Sequence, residues 1–341
     1  MMQGLAVGEF LFTSELEAEG ANLREQTKNV LEATGELLQS QGLTFRNVVK
    51  VQVYLKDMRD YVEFNNEYAK RMGDQPPPRS TVEIPGFVNR NCRVAFGVIG
   101  CKRDNIEIFK AKNVNPSPGP LYDGALVEPY LFTREMCGLG AGVKEQIADG
   151  FSSMEKILNT KDANMQDTAL VFAYLTEMAD FSTLMEFYAK KFDRRIPPLS
   201  IAAVNRLPHT NSAFKVGGVA AVGCETSSIK LGNLKDSYTN MTDVTIIKNL
   251  AFSRELLGVG SDTEEQISNL TFGVKELLDE LGSDKKRIAN LRVHLTDFRI
   301  YDRLLKRLDE ALGGVDFPTS QVIVKGLPRD AKAGLSATFY V

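Results

Sequence analysis

Arg79 follows three prolines, Pro76 to Pro78, at the entrance to the alternating stretch STVEI (80–84). A guanidinium at that place offers paired donors whose fork matches a carboxylate, so one chemistry open to it is the capture of a small anion. Two plainer roles compete: a solvated turn arginine, or an arginine paired with an acidic neighbour. Asn65 is a second polar candidate, either as a cleft amide that hydrogen-bonds a ligand or as a helix-surface residue. Ser14 closes a short strand-like stretch and is a candidate donor, although a serine there also satisfies local backbone groups. Neither His209 nor His294 has an evident claim to lie beside Ser14, which argues against a covalent serine mechanism.

The elements that must position these residues are repeated. Phe12, Phe132 and Phe252 stand 120 residues apart, and the same interval relates Glu15, Glu135 and Glu255; Gly20, Gly140 and Gly260; Glu25, Glu145 and Glu265; Gln26, Gln146 and Gln266; Leu55, Leu175 and Leu295; and Pro78, Pro198 and Pro318. Seven triplets at one ungapped interval imply three copies of one unit. The expected limits are 1–105, 106–225 and 226–341, and the first copy, which has no counterpart of residues 106–127, is expected to lack its first strand. Within a copy, GEFLFTSE reads as a strand and residues 24–42 as a helix with Val30, Leu31, Leu37 and Leu38 on its apolar side and Gly42 at its end. NVVKVQVYL (47–55) alternates as a strand, with Val49, Val51 and Val53 on one side and Gln52 and Tyr54 on the other. YVEFNNEYAKRM reads as a second helix, and two strands close the unit. One sheet layer covered by two helices leaves the other sheet face in need of a partner, which the sister copies can supply.

Composition narrows the function classes. At 341 residues, 43% hydrophobic and 25% charged, the chain belongs to the globular class and is long enough for several cores. A formal charge of −3 does not favour a nucleic-acid partner. No apolar run reaches the length of a membrane span, and MMQGLAVGEFLFTSE carries no basic segment ahead of its apolar residues, so the expected location is cytoplasmic, with an organellar location after removal of a presequence left open. Cys92, Cys101, Cys137 and Cys224 form no CxxC pair, and with two histidines in the chain no metal cluster can be read from spacing. No cofactor and no metal are expected.

The pieces LFTSE (11–15), Gln26, VVKVQVYLKDMRDYVEFNNEY (48–68) and PPRSTVEI (77–84) together resemble the RidA/YjgF/UK114 family. The first copy resembles it most, and the three together span nearly the whole chain. The resemblance implies an α+β fold of three tandem chorismate-mutase-like (YjgF-type) domains, forming an intramolecular pseudo-trimer with central sheets and outer helices. It also implies small-molecule clefts between neighbouring copies, and in the family's enzymes, which hydrolyse reactive enamines and imines to oxo acids and ammonia, an arginine grips the substrate carboxylate. That arginine matches Arg79, whose counterparts are Leu199 and Thr319; the family's cleft asparagine matches Asn65, whose counterparts are Met185 and Leu305. The family's Gly-Pro-Tyr element survives as GPLY (119–122), with its tyrosine moved to Tyr122, and Ser14 matches the serine of its Thr-Ser pair.

The family's water-activating glutamate aligns with Val94, Phe214 and Gly334, none of them acidic, so no catalytic residue is expected. Glu15, Glu135 and Glu255 replace a family glycine; the expectation is a structural role, with Arg134 and Arg254 as local neutralising partners if the three converge. The expected function is that of a non-catalytic RidA-like module that serves structure or protein interaction in a larger assembly and retains one small-carboxylate cleft built from Arg79, Asn65, Ser14 and Tyr122. The alternative is an enamine/imine deaminase that releases ammonia from 2-aminoacrylate-type intermediates. A small oxo or imino acid is the candidate ligand of that cleft, a sensor of a small oxo or amino acid without turnover is a third reading, and self-association of chains is not required.

Overall fold

The computed structural model describes residues 2–341 except 193, 194, 237, 239 and 283. Among the described residues the chain forms three sheets, of six, seven and seven strands, each accompanied by two helices. In the first module the hairpin Gly4–Val7 and Phe10–Thr13 leads to Val94–Cys101, which runs antiparallel to Val48–Leu55; that strand in turn runs parallel to Arg79–Glu83. A parallel pair needs a crossover, and the helix Tyr61–Met72 supplies it. The other helix, Leu23–Ser40, starts where Asn22 accepts a hydrogen bond from the Glu25 amide and ends just before Gly42, whose φ of 72° favours glycine. The second and third sheets each gain an edge strand, Glu107–Phe109 and Ser227–Ile229, paired with Gly124–Val127 and Val244–Ile247. Gly4–Val7 holds the place of the latter two, and among the described residues no strand lies beyond it.

All eight residues of Val48–Leu55 are buried, so both faces of the sheet are covered. Val48, Val51, Val53 and Leu55 join the core under the first module's own helices, and each of the other modules has a core of the same kind. Val49 does not side with Val51 and Val53 as strict alternation predicts. A bulge between Val48 and Lys50 interrupts the register and sends Val49 into a cluster shared by all three sheets, together with Phe12, Phe132 and Phe252. A second shared cluster contains Tyr54, Tyr174 and Val322.

Three backbone bridges close the modules into a ring. Glu83 bridges to Arg206, Ala203 to Gly326 and Ile323 to Gly86, one bridge repeated at the sequence interval. The repeated residues have structural tasks that explain their persistence. The carbonyls of Pro78, Pro198 and Pro318 accept from Val51, Val171 and Leu291 at 2.9–3.0 Å, tying each edge strand to its central neighbour through a residue that needs no N–H. Gln26 donates to the Gly20 and Asn91 carbonyls and accepts from the Arg93 amide; Gln146 repeats the pattern. A Cβ on Gly20 would lie 2.7 Å from the Gln26 amide nitrogen, so the glycine is required for that close approach.

The three repeated glutamates are buried at the seams, with partners other than the arginines expected from sequence. Glu135 pairs with Lys50 of the first module at 2.9 Å, Glu15 with Arg292 of the third at 3.8 Å, and Glu255 lies 2.9 Å from His294 Nδ1 and accepts from Ser200 of the second module at 2.8 Å. Arg134 and Arg254 are engaged elsewhere, by Asp123 and by Asp243 with Asp236, each at 2.6 Å. No helix among the described residues is long and apolar enough to cross a membrane.

Mutual covering of the three sheets predicts a radius of gyration of about 20 Å for one chain in dilute solution, which small-angle scattering measures; a strung-out chain of separate domains gives a clearly larger value. Lys50→Met leaves Glu135 buried without its cation and is expected to lower the unfolding free energy by about 3–5 kcal/mol in denaturant titrations.

Candidate functional site

Arg79 opens its edge strand directly after Pro78, and its side chain lies over the crossover helix. Tyr61, Phe64, Asn65 and Tyr68 occupy one face of that helix, at the spacing that brings side chains into a row. The guanidinium carbon sits 4.3 Å from the centre of the Tyr68 ring, 5.1 Å from Phe64 and 5.8 Å from Tyr61. One nitrogen, Nη2, donates to Asn65 Oδ1 at 2.6 Å and reaches the Tyr61 hydroxyl at 3.4 Å. Arg79 is 1% exposed, and its Nε and Nη1 meet no acceptor among the described residues. It is therefore not a solvated turn residue, and among the described residues it is not the partner of a protein carboxylate. A buried cation cushioned on π faces, with two donors still unmet, is the arrangement that an incoming anion completes.

The opposite wall comes from the second module. Pro116, Ser117, Pro118 and Leu121 lie across the arginine, and a Cβ on Gly119 would stand 2.6 Å from both Arg79 Nη2 and the Tyr61 hydroxyl, so only glycine fits there. This segment is tied down by the Tyr122 amide on the Pro76 carbonyl at 3.1 Å and by His209 Nε2, 3.1 Å from the Pro116 carbonyl, which gives the loop histidine a partner. Behind it stand Arg134, Glu135, Cys137 and Lys215, and the free volume left among these groups is about 20 Å³, room for a single water.

Two of the four residues expected at the site meet there and two do not. Arg79 and Asn65 are in direct contact. Ser14 belongs to another seam: its hydroxyl donates to the Gln3 carbonyl at 3.4 Å, and its neighbours Thr13 and Glu15 engage Asn290 and Arg292 of the third module. The residues that face Arg79 are the next module's counterparts of Ser14 and Glu15, namely Arg134 and Glu135, because each cleft joins one module to the next. Tyr122 lies under Lys110, whose Nζ is 4.8 Å from its ring centre, while Leu121 lines the cleft in its place. The register also corrects the closing-strand alignment: Val94 and Phe214 stand opposite Leu55 and Leu175, and the residue opposite Leu295 is Ala333 rather than Gly334. A one-residue deletion in the last loop shifts the third copy, and the position remains without a carboxylate.

Sequence reading missed Lys215, the aromatic row and the cleft-facing side of Glu135. Lys215 is the one charged residue in the strand Phe214–Ala221, a signal that alternation alone could have raised. It is buried, and Nζ donates to the Thr81 carbonyl, two residues beyond Arg79, at 2.7 Å. Burial pushes its pKa down to about 8, with the Lys50 and Arg79 cations adding to the fall and Cys137 and Glu135 opposing it. Glu135 gives one oxygen to Lys50, and its Oε2 is buried without a hydrogen-bond partner among the described residues. No group of histidines, cysteines and carboxylates that could hold a metal occurs among the described residues.

Comparison with known proteins places this geometry in a family. Residues 6–95 match the Ribonuc_L-PSP family, described as endoribonuclease L-PSP. A RutC family protein of Saccharolobus solfataricus is 38% identical over 90 residues, which cover 24% of this chain and 71% of that protein. The chain belongs to the RutC (YjgF/RidA) family. Among other relatives of this RutC family chain, the protein named Reactive Intermediate Deaminase A, chloroplastic, of Arabidopsis thaliana is 35% identical over 63 residues, 18% of this chain and 34% of that one. A solved structure of a chorismatase aligns with 64% of the chain and 76% of its own length at 12% identity and a TM-score of 0.53, a likeness of fold alone.

Lys215 is protonated to a higher pH in the unfolded chain than in the folded one, so its burial lowers stability at pH 7 and that penalty fades as pH rises from about 8 to 10.5. Lys215→Met is expected to raise the unfolding free energy by about 3 kcal/mol at pH 7, with the advantage vanishing above pH 10.5, as followed by denaturant midpoints across pH.

Proposed function

We propose that the chain is an enamine/imine deaminase with a single working cleft, in which three fused chorismate-mutase-like modules take the place of three separate subunits. The observation that carries this reading is Arg79, fully buried and, among the described residues, without an acidic partner and with Nε and Nη1 unmet. A substrate carboxylate would accept from those two donors, while Asn65 and the Tyr68 ring hold the guanidinium plane. With the anion fixed, the imine carbon lies against the second module's wall, where Glu135 Oε2 is free to take a proton from an attacking water. Water adds to the C=N carbon, the nitrogen gains the protons, and the carbinolamine collapses to a 2-oxo acid and ammonia. The substrate class is a small imino acid, since Arg79 addresses one carboxylate and little else in the cleft is polar on its own side.

Entry requires Pro116–Leu121 to lift from the arginine, and few hydrogen bonds hold that segment down. A second reading, a packing and protein-interaction module without turnover, is favoured by two observations: this same segment leaves about 20 Å³ beside Arg79, and the other two clefts have Leu199 and Thr319 where the first has the arginine.

Ammonia release from freshly generated 2-aminoacrylate tests the two readings. The expected outcome is release above the uncatalysed rate that falls at least a hundredfold in Arg79→Met, together with calorimetric binding of 2-oxobutyrate by the wild type. Release and heat both at background would sink the deaminase and leave the packing module.

A further inference from the structure

The clefts of the three modules differ at a second position besides Arg79. The residue opposite the central-strand Tyr54, Tyr174 or His294 is Ala95 in the first module, Lys215 in the second and Gly334 in the third. Because each cleft joins one module's edge strand to the next module's closing strand, the lone arginine and the lone lysine meet across the same seam. Neither of the other clefts has either one.

We propose that Lys215 is the nucleophile of this cleft and carries the imino or oxo acid as a Schiff base while Arg79 holds its carboxylate. The inference rests on the Arg79 reading and inserts a covalent step ahead of the water of that reading, which then attacks the lysine-bound imine in place of the free one. Lys215 Nζ donates to the Thr81 carbonyl at 2.7 Å, and Thr81 lies two residues from Arg79, about 6–7 Å along the strand. Arg79 and Lys215 also line the same small cavity, the juxtaposition needed for a carboxylate on the guanidinium and the adjacent carbon at the amine. The lysine makes no ion pair among the described residues, whereas buried Lys50 nearby is matched to Glu135. Burial and the Arg79 and Lys50 charges make the neutral amine accessible near neutral pH, with a pKa of about 8, the desolvated and cation-flanked setting in which lysines act as nucleophiles.

The steps balance without an external reagent. The lysine amine adds to the C=N carbon of the imino acid, protons shift to the departing nitrogen, and the C–N bond to ammonia breaks as the C=Nζ double bond forms. Water then adds to that carbon, the C–Nζ bond breaks, and the oxo acid leaves with Lys215 restored as a free amine. The first attack comes from an amine that needs no carboxylate to activate it, which fits a cleft whose closing-strand positions are Val94, Phe214 and Ala333.

Trapping with the full chain tests the step. Incubated with 2-oxobutyrate and sodium cyanoborohydride, the wild type is expected to gain one reduced adduct, mapped by peptide mass spectrometry to Lys215 at a yield at least tenfold above any other lysine. Lys215→Arg is expected to lose it, and Arg79→Met to reduce it at least tenfold. Labelling spread over surface lysines while calorimetry still shows 2-oxobutyrate binding that depends on Arg79 would overturn the Lys215 assignment and leave the Arg79 cleft intact. Absence of both adduct and binding would overturn the cleft itself, and an adduct at Lys215 that is indifferent to Arg79→Met would overturn the coupling of the two residues.

Discussion

A sheet covered by helices on one side leaves its other face apolar, and in this chain three such faces have only one another to meet. Every other structural feature follows from that mutual burial. The bulge after Val48 turns Val49 toward the shared side, the phenylalanines at 12, 132 and 252 fill one end of it, and Tyr54 with Tyr174 fills the other. Charges trapped between the sheets must then find partners across the seams, and Lys50 with Glu135 and Arg292 with Glu15 do so.

The repeated sequence positions and the chemically suggestive ones answer to different demands. Gly20 and Gln26 with their counterparts at 140 and 146 clamp the start of the first helix to the closing loop, and the prolines at 78, 198 and 318 set each edge strand. Those tasks are the same in all three modules, so the residues recur. A cleft has no such obligation to its sisters once the modules share one chain, and Arg79, Leu199 and Thr319 show three outcomes at one structural position.

The fold was largely legible because its signals are periodic: the interval of 120, the helix stripe through Val30, Leu31 and Leu38, and the alternating strand at 48–55. Alternation failed at Val49, where a bulge that no local pattern announces breaks the period. At the site, Arg79 and Asn65 stand together because they lie on neighbouring elements of one module. Ser14 and Tyr122 were misplaced for different reasons. Ser14 requires knowing which module faces which, a property of the ring rather than of any segment, and Tyr122 differs from Leu121 by one residue in a loop without regular structure. The seam partners of the glutamates were hidden for the first of these reasons: Lys50 and Glu135 are neighbours only after the modules close.

The three bridges at 83, 203 and 323 have a further consequence. Separate subunits joined by such contacts come apart on dilution, because reassociation is a bimolecular event. Here the tethers keep each seam facing its partner at an effective concentration on the order of millimolar however thin the solution, so an edge strand that breaks its bridge to the next module re-forms it before it can pair with a stranger.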